Sequence, residues 1–139
     1  MRPIKFRGRF VYKNTQTGEN DWVYGDLVQY PEHIGKHRIV NEGINREVLA
    51  YTVGQFIGLH DKNGKEIYEG DFIRSFDSQG KPIIHAIEYD NNDAQFIVVL
   101  AGYTKYDFGC GGITQKWINE FGKEVIGNIH DNPELLKQE

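Results

Sequence analysis

Apolar and polar residues alternate with a period of two over most of the chain, the spacing of strands with one buried face. Ile4, Phe6, Phe10 and Tyr12 share one parity, Lys5, Arg7, Arg9 and Lys13 the other, and Gly8 interrupts the apolar set. This predicts a first strand with an apolar side and a cationic side. The run from Asn14 to Asn20 is turn chemistry, and Trp22 to Tyr30 returns as a second strand. The segment from Pro31 to Asn45 is polar and broken by Gly35 and Gly43, so it reads as mostly mobile loop holding a short strand from Arg38 to Val40. Glu47 to Tyr51 and Val53 to Leu59 follow as short strands.

Asp61-Lys62-Asn63-Gly64-Lys65 predicts a hairpin, because Asn-Gly supplies the two positive-φ residues of a type I′ turn. Later strands are expected at Phe72 to Phe76, Pro82 to Tyr89, Gln95 to Ala101 and Val125 to Ile129. Gln95 to Ala101 is the most apolar of these and is expected to be central. Gly102 to Gly112 reads as irregular, and Thr114 to Phe121 fits a helix or a strand. Asn132-Pro133-Glu134 starts a short C-terminal helix, with a capping side chain, Pro at the first position and an acid in the first turn. The expected class is therefore all-β. Two small β subdomains, residues 1–64 and 65–139, form one unit, and five short strands after the Asn-Gly turn close into an SH3-like barrel.

Composition changes this picture little. The chain has 39% hydrophobic and 26% charged residues, too apolar for disorder, and its 8 Tyr and 8 Phe suit half-buried sheet surfaces. A lone cysteine, Cys110, makes no internal disulfide, and neither a leader-like apolar core nor a run near the roughly 20 residues of a membrane span is seen. The expectation is a cytoplasmic protein that meets no membrane. The net charge of −4 argues against broad binding to phosphate backbones, yet Arg2, Lys5, Arg7, Arg9 and Lys13 fall in one segment free of acids.

Four stretches resemble the YopX family of phage and prophage proteins. They are Ile4-Lys5-Phe6-Arg7-Gly8, Trp22-Val23-Tyr24-Gly25, the run from Thr52 through Gly64 to Asp71, and the run from Glu124 through Asn128 to Leu136. Pro31 to Asn45 and Gly102 to Gly112 lie outside them. The resemblance implies an all-β protein with a C-terminal SH3-like barrel, encoded by a phage or prophage, in a bacterial host. It implies no reaction and no catalytic residues.

The first strand is the leading candidate surface. Lys5, Arg7 and Arg9 could track a phosphate backbone while nearby rings stack on bases. Tyr24 and Tyr68, with Tyr30, Tyr89 and Trp117, are the rings that a binding groove would use. The structural reading carries more weight: a solvated face paired to acids such as Glu69 and Asp71, with Arg7 bonded to a carboxylate and aromatics in the core. His33 and His37 have helical metal spacing, but Pro31 and Gly35 argue against a helix there. His60-Asp61 and His130-Asp131 are adjacent pairs whose members point to opposite sides of a strand. Cys110 between Gly109 and Gly111 has no base at a telling distance. Phosphate-loop, calcium-loop and zinc-protease patterns fail. No catalytic, cofactor or metal site is expected. The expected activity is binding of a protein or a nucleic acid by a non-enzymatic module. The alternatives are a structural homo-oligomer, and a hydrolase using His60 or His130 with Asp71 or Asp93.

Overall fold

The computed structural model describes residues 1–107 and 110–137, and about half of them are in strands. By internal contacts the chain divides into residues 1–56 and 57–139. In the first unit β1 (Phe6–Lys13) pairs with β2 (Asn20–Val28), β2 with β3 (Lys36–Asn41), and β3 with β4 (Ile44–Leu49). Phe10 opposite Val48 then brings β4 back to β1 and closes a ring of four antiparallel strands. The registers place Phe6, Gly8, Phe10, Val23, Gly25, Leu27, Ile39 and Val48 on one side of these strands. Ile39 and Val48 are fully buried there.

Two glycines fit this ring for steric reasons. A Cβ on Gly8 would lie 3.0 Å from two carbons of Val48. Gly25 has φ +154°, and its Cβ would sit 2.3 Å from the Val40 carbonyl oxygen, so β2 and β3 meet only where no side chain stands.

The segment from Pro31 to Asn45, expected to be mostly loop, is instead a 3-10 turn at Glu32–Ile34 followed by the β3–β4 hairpin. Glu42 (φ 48°) and Gly43 (φ 83°) are the two positive-φ residues linking Asn41 to its partner Ile44. This is the conformation of a type I′ turn, and Glu is not a residue that advertises it. The strands look polar because their other face is charged: Glu47 lies 3.5 Å from Lys36 and 3.7 Å from Arg38. The turn that the sequence did advertise behaves differently. At Asn63-Gly64 only the glycine has positive φ, so it is not type I′.

β5 (Gly54–His60) begins against β1, with Gly54 opposite Arg7 and Gln55 opposite Phe6. The division into units falls within this strand, ahead of the Asn63-Gly64 turn. The second unit continues with β6 (Glu66–Tyr68), β7 (Asp71–Phe76), β8 (Pro82–Asp90), β9 (Gln95–Leu100), β10 (Gly111–Gly112) and β11 (Glu124–Asn128). β6 pairs with β5, and a five-stranded sheet runs β10-β9-β8-β7-β11, so β7 to β11 form a sheet with two distinct ends, while the closed ring lies earlier in the chain. β9 is interior to that sheet, as its apolar run required. Phe108 and Gly109, in the glycine-rich stretch before β10, lie outside the described residues.

One core joins Ile67, Ile73, Ile87, Val98 and Ile118, with Ile57, Leu59, Ile113, Trp117 and Val125 packed around it. Burying each of these aliphatic side chains contributes about 1.5–3 kcal/mol. Ile118 comes from α1 (Gln115–Asn119), whose start is capped by Thr114 Oγ1 accepting from the Trp117 N–H at 3.1 Å. The closing helix is a 3-10 turn, Pro133–Leu136.

The hairpins reuse one turn. Asp61 and Asp77 each accept, on one carboxylate oxygen, the N–H groups two and four residues on, at 2.8–2.9 Å. Gly64 and Gly80 stand at the matching position with φ 80°. Asn14 and Asp90 form a related turn in which the side-chain oxygen accepts the N–H two residues on and the positive-φ residue stands four residues on, Gly18 at 75° and Ala94 at 51°. Ala94 is thus an L-residue at the positive-φ position that Gly18 fills in the Asn14 turn. Ala94→Gly is expected to raise stability by about 0.5–1 kcal/mol, and Gly80→Ala to lower it by about 1 kcal/mol, in urea unfolding.

Asp61 goes further than Asp77: it is buried, and its second oxygen accepts the Val125 N–H of β11 at 2.9 Å. Asp61→Ala is therefore expected to cost about 2–4 kcal/mol, and Asp77→Ala at most about 1 kcal/mol. Equal losses in the same unfolding measurement would show that the Val125 bond contributes nothing.

Candidate partner-binding surface

Lys5, Arg7 and Arg9 lie against the protein's own rings. Register sets Arg9 opposite Trp22 and Arg7 opposite Tyr24 on one face of the β1–β2 hairpin. Both guanidinium carbons lie 4.7 Å from the Trp22 ring centroid. The planar, weakly hydrated guanidinium suits such stacking. Arg9 also donates through Nη1 to the Asn20 carbonyl, and its backbone N–H donates to Thr52 Oγ1 at 2.8 Å. Arg7 is only 5% exposed, and Lys5 places its ammonium 5.2 Å from the Phe56 ring. Arg2 and Lys13 are exposed. The alternate spacing read as a phosphate track is thus, at Lys5, Arg7 and Arg9, a set of cation–ring contacts.

The candidate rings separate. Tyr24 is 43% exposed in the first unit, with its carbonyl accepting from Asn41 Nδ2 at 3.0 Å. Tyr68 belongs to the second unit and is buried at 3%, its hydroxyl donating to Glu66 Oε1 at 3.2 Å. It offers no open surface because both residues at that end of β6, Ile67 and Tyr68, are covered. Trp117 is half-buried beneath the Lys123 ammonium at 4.3 Å, with His85 edge-on at 5.4 Å. Tyr89 packs edge-to-face on Phe96 and Tyr30 is partly exposed. Tyr12 and Tyr51, which the sequence did not single out, are the more open rings of the first unit at 69% and 74%.

The other sequence candidates are dispersed. His33 sits in the 3-10 turn and His37 on β3, where its Nδ1 accepts the Tyr30 N–H. The His60 backbone bonds the Gln115 side chain in both directions. Asp71 is buried and accepts the Tyr68 N–H at 2.8 Å. Asp93 is an exposed turn residue. The backbone N–H groups of His130 and Asp131 donate to Asn128 Oδ1. Cys110 is half-buried and its thiol donates to the Thr104 carbonyl at 3.2 Å, while its neighbour Gly109 lies outside the described residues. Among the described residues no three His, Cys, Asp or Glu side chains gather as metal ligands, and no helix is long and apolar enough to cross a membrane.

Electrostatic perturbations are local. The Lys105 ammonium, 2.9 Å from Asp90, holds that carboxyl below its usual range, and Asp90 in turn raises Lys105. Burial pushes the Lys123 ammonium down, with Glu120 opposing the shift. Lys123 donates to the Trp117 and Glu120 carbonyls at 2.7 and 2.8 Å, closing the end of α1. Burial raises Glu88, against the pull of Lys105.

The family model described as YopX protein matches residues 7–137. The chain belongs to the YopX family. No curated protein matches. The crystal structure of protein EF1440 from Enterococcus faecalis is similar over 99% of this chain and 100% of that one, with 22% identity and a TM-score of 0.58. At that identity the likeness concerns the fold.

The stretches that carry the YopX resemblance coincide with these structural ties. Gly8 and Gly25 permit the close strands, Asp61 knots the turn, and a Cβ on Gly127 would lie 2.2 Å from Asn132 Oδ1, the atom that accepts the Asn128 N–H. Register across β1–β2, which the sequence does not print, is what turns Trp22 into the seat for two guanidiniums. Trp22→Leu is expected to cost about 2–3 kcal/mol in urea unfolding, and a double-mutant cycle with Arg9→Gln to give a coupling of about 0.5–1 kcal/mol.

Proposed function

We propose that this YopX-family chain is a phage or prophage accessory protein, acting in the bacterial cytoplasm as a non-enzymatic binding module whose partner is a protein. The observation that carries this reading is the exposure of three tyrosines of the first unit: Tyr12 at 69%, Tyr51 at 74% and Tyr24 at 43%. Tyrosines of this kind supply large contact area at low entropic cost and are enriched at protein interfaces. Lys5, Arg7 and Arg9, the groups a nucleic-acid reading needs, lie against Phe56 and Trp22 instead. On this reading the second unit is an SH3-like β subdomain. Assembly of the chain with copies of itself is the competing use of the same tyrosines.

The test is capture from host lysate on the tagged protein, with and without nuclease. A bound protein that survives nuclease, and is lost in Tyr24→Ser/Tyr51→Ser while Lys5→Gln/Arg9→Gln retains it, is the expected outcome. Nucleic acid held at moderate salt and lost in Lys5→Gln/Arg9→Gln would replace the protein partner with a nucleic acid. Sedimentation as an oligomer that the tyrosine changes dissolve would replace it with a second copy.

A further inference from the structure

Two turns of this protein share the same backbone hydrogen bonds and differ at the residue before the glycine. In each, the aspartate N–H donates to the lysine carbonyl at 2.9 Å and the glycine N–H to the aspartate carbonyl at 3.0 Å. The residue before the glycine is Asn63 in the first turn and Gln79 in the second. Both glycines have open space where a Cβ would stand. An exposed Asn followed by Gly is open to attack by the glycine nitrogen on the side-chain amide carbon, through a five-membered ring. Gln needs a six-membered ring and reacts far more slowly.

We propose that Asn63 is a site of spontaneous deamidation, held in check by the fold. The Gly64 nitrogen bonds to the Asn63 Cγ, the Cγ–Nδ2 bond breaks, and ammonia leaves with the Gly64 amide proton. Water then opens the succinimide. Attack at Cγ gives aspartate, and attack at the backbone carbonyl gives isoaspartate. The net change is one water consumed and one ammonia released.

Two contacts oppose the first step. The Gly64 N–H is engaged by the Asp61 carbonyl, and Asn63 Nδ2 donates to Glu124 Oε2 at 3.2 Å, which tethers the side chain toward β11. Modification would reverse that tether. A carboxylate at position 63 would face Glu124 where an amide donor stood, with Lys62 at 3.9 Å as partial compensation. Isoaspartate would also add a methylene to the backbone between Asp61 and Gly64. The product should therefore loosen the turn whose Asp61 holds Val125.

The experiment follows the gain in mass and the isoaspartate content of the full chain by peptide mapping, in native buffer and in urea. Wild type should deamidate at Asn63 several-fold faster in urea than when folded, with Gln79 unchanged in both. Glu124→Ala, which removes the tether, should accelerate folded-state deamidation several-fold. Val48→Ala, which weakens the first unit far from the turn in sequence, should not do so at matched melting temperature. Equal rates for folded and unfolded wild type would overturn the proposal, as would equal acceleration by Glu124→Ala and Val48→Ala. Should Glu124→Ala fail to fold, the wild-type comparison alone decides.

Discussion

A buried carboxylate that must satisfy itself on backbone N–H groups organises the second unit. Asp61 binds Asn63 and Lys65 through one oxygen and Val125 through the other, so a local turn is tied to a strand that arrives some sixty residues later. A carboxyl group out of water is stable only when its acceptor sites are filled, and here three backbone N–H groups fill them. The same segment is secured again by the Lys62 N–H on the Lys123 carbonyl and by Glu124 reaching Arg74. β11 is the end strand of its sheet, and the Asp61 bond occupies the Val125 N–H of that strand.

The first unit solves a different problem. Four short strands close on themselves, and a ring this small leaves little interior volume. Glycines at positions 8 and 25 admit the close contacts, and Ile39 and Val48 fill what remains. Charge is then displaced to the outer face, where Arg7 and Arg9 share the Trp22 ring. Cations used in this way stiffen a hairpin through cation–ring attraction and buried methylene stems, at the expense of availability to a polyanion. A basic strand in a sequence and a basic surface on a protein are therefore different things.

Several features were legible in the residues alone. Alternation of apolar and polar positions located most strands, and clusters of turn residues located the turns at 14–20 and 61–65, because both are dictated by backbone geometry within a few residues. The β3–β4 hairpin was illegible because its turn places Glu42 at positive φ, a conformation paid for by the pairing on either side rather than by local preference. Tyr68 was misleading as a surface ring because exposure depends on what packs over a strand.

The sequence by itself determined the β class, the YopX membership carried by four ordered stretches, and the positions of the turns at 14–20 and 61–65, since each rests on neighbouring residues or on an ordered string of them. The tertiary structure alone decided that the ring closes in residues 1–56, that Trp22 seats Arg7 and Arg9, and that Asp61 reaches Val125. Those outcomes depend on strand register and on contacts between residues far apart in the chain, where a shift of one position would send every side chain to the opposite face.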